Sequence, residues 1–458
     1  MFKVFTPRNF RRAILFVEKL LIIASAILSY MLVVFLYYPN AVFSDRGNYV
    51  LAVTYAVILV GLGIAYGCFK VGIIRFKELV FSYMITIFLT NGISYLITSM
   101  VAGELINIFP LLLLSVVQIL MGILLYYLAN KTYFALNPAK ETLVICSNSE
   151  HDVEVMHKFG KIHERYRIKR ILFENEPMAL LEEEIDKYQV IIIGNIDIVL
   201  RQNLMKYCYE HNKRLFVLPS TQDIVMQSAA VTQIGDSMAF LCKNRVLSVE
   251  QLALKRAMDI FVSLIILIIA SPIMLMIALI IKLYDGGPVF YKQLRNTRNG
   301  EVFWLYKFRS MIVDAEKDGA QYTVDNDARI TPVGKFIRAT RIDELPQMLN
   351  ILRGDMSLVG PRAERVENTE AYSELMPEFK YRLKVKAGLT GYAQIYGKYN
   401  TSYEDKARMD MYYIENYSFL LDLKLLVYTV KIIFVKESTE GFEYESLKNE
   451  ENNTSLDD

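Results

Sequence analysis

Four apolar runs fill the first third of the chain, at about Ile14 to Tyr38, Tyr49 to Cys68, Leu79 to Val101 and Ile108 to Leu128. Each is close to the ~20 residues that cross a bilayer core as a helix. One such run is compatible with a buried core helix, but four in series are not, so they are read as transmembrane helices. The first is too long for the apolar part of a secretion signal, and no small-residue cleavage site follows it. With 53% hydrophobic and 22% charged residues among 458, a disordered, collagen-like or purely coiled-coil chain is excluded. Orientation follows from the flanking bases. Lys3, Arg8, Arg11 and Arg12 precede the first run, Lys70, Arg75 and Lys77 separate the second from the third, and Lys131 follows the fourth. The other loops, Asn40 to Asn48 and Ala102 to Asn107, hold only Arg46. The N-terminus and the chain after residue 131 are therefore expected on the cytoplasmic face.

A formal net charge of +2 gives no bulk field for nucleic acid, which is not an expected partner. Cys68, Cys146, Cys208 and Cys242 are widely spaced and read as buried, reduced thiols rather than a disulfide framework or zinc site. All four histidines, His151, His157, His163 and His211, lie mid-chain. Chemistry in the C-terminal half proceeds without histidine.

Residues 140–245 alternate short apolar strands (Thr142 to Cys146, Ile168 to Phe173, Val190 to Ile193, Leu215 to Leu218) with polar helical segments such as Asp152 to Glu164 and Asn203 to Asn212. That alternation predicts a small parallel α/β sheet, Rossmann-like in kind. Its first strand runs into Ser147-Asn148-Ser149-Glu150 rather than a Gly-x-Gly-x-x-Gly turn. Without a turn that lets the backbone approach a pyrophosphate, a degenerate domain for assembly or regulation is preferred over a cofactor site.

From Ile260 to Leu283 the chain is again apolar, with Ser271-Pro272 at its middle and bases on both flanks (Lys255, Arg256; Lys282, Lys292, Arg295, Arg298). Bases on both sides resist a crossing. Pro272 kinks a helix, and Ser271 can satisfy a freed carbonyl. A membrane helix that bends there and returns to the same face is expected; a kinked spanning helix is the alternative. Val289 to Leu294 and Val302 to Arg309, joined by a turn ending in Asn299-Gly300, read as a hairpin. Lys307 and Arg309 lie two apart on one strand, able to grip a phosphate, though spacing alone says only that this face is wet.

Leu345, Met348, Leu349 and Leu352 recur at helical intervals before the stop Arg353-Gly354. Pro346 fits only a first turn, which puts Asp343 at that helix's N-terminal end. A lone Asp there is an N-cap. Here Asp343-Glu344 stand together, with Arg338 and Arg341 upstream and Gly360-Pro361-Arg362 soon after. Such an end keeps carboxylates ionised and attracts phosphate, and paired acids can hold a divalent metal.

The bent helix with Ser271-Pro272, Tyr306-Lys307-Phe308-Arg309-Ser310-Met311, Asp343-Glu344, the run Gly354 to Arg362, Gly388-Leu389-Thr390-Gly391 and Asp410-Met411-Tyr412-Tyr413 together resemble the bacterial sugar transferases, the monotopic phosphoglycosyl transferases. The resemblance covers about Leu254 to Lys436. The added membrane region and α/β domain resemble the large, polyprenyl glycosylphosphotransferase form. It implies transfer of a sugar 1-phosphate from a UDP-sugar to membrane polyprenol phosphate, releasing UMP and starting exopolysaccharide or capsule assembly at the bacterial inner membrane. It further implies that Asp343 is the nucleophile of a covalent phosphosugar intermediate, with Glu344 beside it near Mg2+. Lys307 and Arg338 match basic positions of the family, Pro361-Arg362 its nucleotide- and phosphate-binding motif, and Asp410 a further active-site acid. Arg309 and Lys398 join these as candidate substrate-binding residues. Polyprenol phosphate, with a second pKa of about 6, is mostly dianionic near neutrality and needs no general base.

The sequence departs from the family at Ala363, where Pro-Arg-Pro is usual, at Lys386-Ala387-Gly388 for Arg-Pro-Gly, and at Tyr392-Ala393-Gln394-Ile395-Tyr396-Gly397-Lys398 for Trp-Ala-Gln-Val-Asn-Gly-Arg. Lys for Arg loses the bidentate fork. The motifs do not distinguish the sugar, although a plain hexose is favoured. The organisation expected is a four-helix membrane region (1–135), a Rossmann-like domain (140–245), a monotopic α/β catalytic domain (250–436) whose re-entrant helix is 260–283, and an acidic disordered tail (437–458). Tyr403 to Val435, with Tyr412, Tyr413, Tyr417, Leu420 and Leu423, is compatible with interfacial helices and with core packing. A symmetric homodimer is the expected assembly. Two rivals stay open: a ternary-complex transferase in which Asp343 only binds metal, and a catalytically silent scaffold.

Overall fold

The computed structural model describes residues 7–43, 46–147, 165–242, 247–313, 315, 327–397 and 401–433. The expectations for residues 148–164, for Lys398 and for the acidic tail lie outside these. The chain divides into two compact units, Met1–Leu218 and Pro219–Asp458.

The first unit opens with α1 (Pro7–Tyr37), α2 (Gly47–Tyr66), α3 (Phe76–Ala102) and α4 (Phe109–Leu136). All four are long and apolar enough to cross a membrane. Their outer faces carry exposed Leu28, Leu36, Val57, Ile64 and Leu120, while the inside mixes apolar side chains such as Leu59, Leu79 and Ile87 with buried polar ones. Tyr55 Oη donates to Asn91 Oδ1 at 2.9 Å, and Asn91 Nδ2 donates to Ser115 Oγ (2.8 Å) and Gln118 Oε1 (2.9 Å). Gln118 Nε2 donates in turn to the Ala26 carbonyl at 2.9 Å, and Tyr30 stacks on Tyr55 at 4.1 Å. One network thus ties all four helices. In hydrocarbon no hydrophobic force favours helix against helix, so inward-facing polar contacts and close packing hold such a bundle.

A four-stranded, all-parallel sheet follows, in the order β2-β1-β3-β4, from β1 (Lys140–Cys146), β2 (Tyr166–Phe173), β3 (Val190–Ile193) and β4 (Arg214–Val217). The strand positions agree with the apolar alternation to within two residues. α5 (Met178–Lys187) and α6 (Ile198–Glu210) cover it, burying Leu181, Ile185, Leu204 and Cys208 against Leu143, Ile145 and Ile191. Asp197 caps α6 by accepting from the Val199 and Leu200 amides. Cys68, Cys146 and Cys208 are buried as expected, but Cys242 is exposed, following a two-stranded ribbon whose own residues are mostly exposed.

The second unit starts with α7 (Thr221–Gln227) and that ribbon, β5 (Ala230–Ile234) and β6 (Ser237–Leu241). α8 (Val249–Asp285) then runs for 37 residues, from a Ser248–Gln251 capping box to Gly286 at φ +71°. At 1.5 Å per residue it is about 55 Å long. Pro272 has no N–H for the Ile268 carbonyl, and Ser271 Oγ donates to that carbonyl at 2.9 Å instead. Lys255, Asp259 and Ser263, one turn apart, form a buried polar stripe. Val262, Ile266 and Leu267 of the same half pack on the core formed by Leu305, Met348, Ile351, Leu358 and Tyr413. The other half buries Ile277 and Ile281 against Phe308 and Ile337.

The remaining elements are β7 (Phe290–Asn296), β8 (Val302–Phe308), α9 (Pro332–Ala339), α10 (Gln347–Arg353), β9 (Ser357–Val359), α11 (Val366–Leu375), β10 (Gly388–Thr390), α12 (Tyr392–Tyr396), α13 (Tyr403–Glu415) and α14 (Phe419–Ile433). β7 and β8 form the expected antiparallel hairpin, turning through Asn299 (φ 58°) and Gly300 (φ +79°). Along α13 and α14 the core takes Tyr413, Tyr417 and Leu425, whereas Leu420 and Leu423 stay exposed.

Candidate active site

Two glycine-bearing segments build the floor of the site. β9 pairs in parallel with β10, Ser357 opposite Gly388 and Val359 opposite Thr390. The pairing continues past the strands: the Gly360 amide donates to the Thr390 carbonyl and the Gly388 amide to the Pro361 carbonyl, both at 2.8 Å. A Cβ on Gly388 would stand 2.1 Å from the Gly360 nitrogen, and one on Gly391 would stand 2.1 Å from the Gly360 oxygen. Gly360-Pro361-Arg362 and Gly388-Leu389-Thr390-Gly391 are therefore two halves of one backbone contact. Gly388→Ala is expected to destabilise this unit by about 1–3 kcal/mol or more, since backbone is what must move. Gly92→Ala, where a Cβ meets nothing within 4 Å, is the control, and thermal unfolding of both variants is the measurement.

Asp343 and Glu344 sit in a single tight turn, Ile342–Glu344, directly ahead of α10. Pro346 precedes the first helical residue, and Gly354 (φ +96°) ends the helix as the sequence indicates. The carboxylates thus precede the helix and do not cap it. Arg341, just before them, is held at φ 59°, a left-handed conformation uncommon for a residue with a side chain. Strain of that kind gathers at functional turns.

Lys307, on β8, donates from Nζ to Glu344 Oε1 at 2.9 Å, and Arg362 reaches the same oxygen at 3.5 Å. Burial alone would raise Glu344, but Lys307 and Arg362 outweigh it and hold the carboxyl well below the usual range. Asp343 is 8% exposed. Burial raises it above its ordinary value of 3.8, opposed by Lys307, Arg338 and Arg341 and reinforced by Glu344. The two acids are driven apart: one is fixed as a countercharge, the other is an anion kept short of solvent.

The turn therefore gathers Asp343, Glu344, Lys307, Arg338 and Arg362, while Pro361, next to Arg362 in the chain, accepts from the Gly388 amide. Two other candidates are placed elsewhere. Arg309 is buried and donates to Asp285 at the end of α8, so Lys307 and Arg309 do not form one phosphate grip. Asp410 is also buried and accepts from Arg382 Nε and Nη2 at 3.1 and 2.8 Å. Burial pushes Asp410 up to about 6 despite Arg382 beside it. Arg382 Nη2 also donates to the Arg362 carbonyl at 3.1 Å, so Asp410 meets the site through the backbone that carries Arg362.

The sequence reading missed Arg382 and the polar stripe of α8. Lys255 Nζ donates to Asp422 Oδ2 at 2.6 Å and to the Val359 carbonyl at 2.9 Å, and Tyr413 Oη donates to Asp422 Oδ1 at 2.8 Å. Asp259 Oδ1 accepts from the Leu358 amide (2.9 Å) and Ser357 Oγ (3.0 Å). α8 thus clamps β9 immediately before Gly360-Pro361-Arg362. The available signal was Lys255 and Asp259 at i, i+4 in an apolar helix, where charges persist only with partners.

Residues 250–436 match a family model described as bacterial sugar transferase. The exopolysaccharide production protein PSS of Rhizobium leguminosarum bv. phaseoli is 43% identical over 199 residues, 42% of this chain and 98% of that protein. The UDP-N-acetylgalactosamine-undecaprenyl-phosphate N-acetylgalactosaminephosphotransferase of Aeromonas hydrophila is 43% identical over 183 residues, 39% of this chain and 43% of that one. The UDP-glucose:undecaprenyl-phosphate glucose-1-phosphate transferase of Klebsiella pneumoniae is 43% identical over 189 residues, 40% and 41% of the two chains. The match spans less than half the length of these last two relatives and nearly all of the Rhizobium protein. A buried Asp-Glu turn facing Lys307, Arg338 and Arg362, within a region that accounts for almost the whole of one relative, assigns this chain to the bacterial sugar transferase family.

Proposed function

We propose that this chain transfers a sugar 1-phosphate from a UDP-sugar to undecaprenyl phosphate at the cytoplasmic face of the membrane, the first step of a surface polysaccharide. The observation that carries this is Asp343: a carboxylate with burial raising its pKa, ringed by Lys307, Arg338 and Arg341, while Glu344 is already neutralised by Lys307 and Arg362. An ionised oxygen of Asp343 attacks the phosphorus bearing the sugar. The bond from that phosphorus to the bridging diphosphate oxygen breaks, and UMP departs with the electron pair. A phosphate oxygen of the lipid then attacks the same phosphorus, forming the new diphosphate and releasing the Asp343 carboxylate. Neither displacement needs a proton to be removed, in keeping with a site built without histidine. Lys307, Arg338 and Arg362 offset charge on the transferring group, which is the main task in phosphoryl transfer.

Mg2+ would be held by the carboxylates of Asp343 and Glu344; the contacts of Lys307 and Arg362 with Glu344 both fall on its Oε1. Among the described residues no group of three or more acids, histidines or cysteines collects. A site of one or two carboxylates completed by substrate phosphates suits this ion, which supplies charge neutralisation at the diphosphate when bound.

The membrane reading rests on α8. Both halves seat in cores of the same unit, through Ile266 and Leu267 at one end and Ile277 and Ile281 at the other, with Ile269 71% and Leu275 72% exposed between them. A straight 37-residue helix is far longer than the ~30 Å hydrocarbon core. Entry, a bend at Ser271-Pro272 and return to the same face fit these contacts, with residues 260–283 as the re-entrant part and 250–436 as the catalytic domain. The bases between α2 and α3 and after α4 favour the cytoplasmic side. For the bundle within 1–135 we propose anchoring, and for the Rossmann-like region 140–245 a role in assembly or regulation of a homodimer.

The decisive experiment incubates the detergent-solubilised protein with UDP-sugars labelled in the sugar and no lipid acceptor, followed by acid quench. UDP-glucose, UDP-galactose and UDP-N-acetylgalactosamine form the panel, because relatives of equal identity are named for different sugars. Near-stoichiometric label on the protein, chased off by undecaprenyl phosphate with matching UMP, is the expected result. UMP release that requires the acceptor, with no label ever retained, would favour the ternary-complex route. No UMP under any condition would favour a scaffold.

A further inference from the structure

A second cluster of cations lies at the far end of α10 from Asp343. Arg298 in the β7–β8 turn, Gly354-Asp355 after α10, Glu301 and Lys386 line a polar cleft of about 480 Å3. Seven helical residues, about 10 Å, separate it from the carboxylate turn. Neither Arg298 nor Lys386 has an ion-pair partner among the described residues, and Arg298 Nε is buried without a hydrogen bond. Lys386 Nζ and Arg256 Nη2 converge on one point: a Cβ placed on Gly354 would lie 3.5 Å from the first and 3.7 Å from the second. Arg256 is fixed there by donating to the Ile351 and Leu352 carbonyls at 2.5 and 2.6 Å. Two acids on the wall, Glu301 and Asp355, face three cations, Arg298, Lys386 and Arg256, so the cations are only partly offset. Burial presses the Lys386 amine below its usual range, with Arg256 and Arg298 adding to the shift and Asp259 and Asp355 opposing it.

We infer that this cleft is an anion site for a phosphate-bearing group, distinct from the Asp343 centre. Its volume suits a headgroup or diphosphate rather than a lone ion. Two sources share that chemistry. Arg256 lies on α8 just before its exposed apolar residues Phe261 and Leu264, which puts a lipid phosphate within reach; a soluble diphosphate is the other source. The position matches the Lys386 departure from the family pattern, where a compact ammonium replaces a planar fork.

Trp304, the only tryptophan in the chain, follows Val302 and Phe303 of the cleft wall and reports on it. Its emission would be followed while inorganic diphosphate is titrated into detergent-solubilised protein, and in nanodiscs of phosphatidylcholine with and without phosphatidylglycerol. A saturable response to diphosphate identifies a soluble ligand; a response only to phosphatidylglycerol identifies a lipid. Either must weaken at least about tenfold in both Lys386→Met and Arg298→Met and persist in Lys386→Arg. Arg298 is on a surface turn, so its variant keeps the test alive if Lys386→Met does not fold. A response unchanged in both neutral variants belongs to the Asp343 centre and overturns the proposal, as does no response to either probe.

Discussion

Asp343→Asn is expected to lower UMP release by at least about a thousandfold and yet leave the fold at least as stable as the wild type. The loss follows from the proposed role of Asp343, since a neutral amide cannot serve as the anionic nucleophile. The stability follows from the carboxyl's burial. Its folded pKa lies above the ordinary 3.8, so between those two values the folded state holds more protons than the unfolded one. Stability therefore falls as pH rises through that window, and the cost stays in place above it. A neutral amide removes that cost at pH 7 and makes no difference below both values. Thermal midpoints of the two proteins at several pH values, beside steady-state UMP release, check both halves. The same shift sets the acid limb of the wild-type profile: kcat/KM should rise with pH through a value above 3.8. Retention of a tenth of the activity would remove Asp343 from the nucleophile role, and a clear drop in midpoint at pH 7 would overturn the account of its burial cost.

Lys255→Met is expected to be the most damaging single change away from the chemistry. Asp422 is 0% exposed and receives Lys255 at 2.6 Å. Removing one partner of such a pair costs about 3–5 kcal/mol because the other charge stays buried. For a domain of this size that is a fall in unfolding midpoint of roughly 10 °C. The Val359 carbonyl keeps only the longer bond from Tyr413 Oη at 3.3 Å, and the strand leading to Gly360-Pro361-Arg362 loses one of its two clamps on α8. KM for the donor should rise in whatever folded protein remains. Lys255→Met combined with Asp422→Leu should recover much of the midpoint, since replacing both charges leaves none unpaired. If the double variant melts no higher than the single one, the damage comes from packing and the charge account is wrong.

These two residues mark the limit of what the sequence yields. Asp343 was legible because it sits in a local constellation: Asp343-Glu344, an arginine on the near side, a proline that fixes the helix start, and a glycine that fixes its end. Lys255 was equally visible as a letter, but its role depends on Val359 and Asp422, more than a hundred residues away. Arg309 shows the converse. Two-residue spacing placed it with Lys307, but the second cation lies past the end of β8 and is drawn to Asp285 where α8 terminates. Asp410, similarly, turns into the core to hold Arg382 and, through it, the Arg362 carbonyl.

What the sequence determined by itself was everything written in short-range periodicity. Four apolar stretches of bilayer length, a parallel α/β alternation with strand ends right to within two residues and a hairpin at Asn299-Gly300 all depend on neighbours within a few positions. Local sterics and side-chain period decide such features before the chain folds. The tertiary structure decided which charges face which. Glu344 is neutralised by a lysine 37 residues away, Gly360 meets Gly388 backbone to backbone, and the membrane bundle is tied by Tyr55, Asn91 and Gln118 from three helices. The physical reason is that a charge or polar group removed from water must find its partner wherever packing brings one, and that distance is set by the fold, not by the chain.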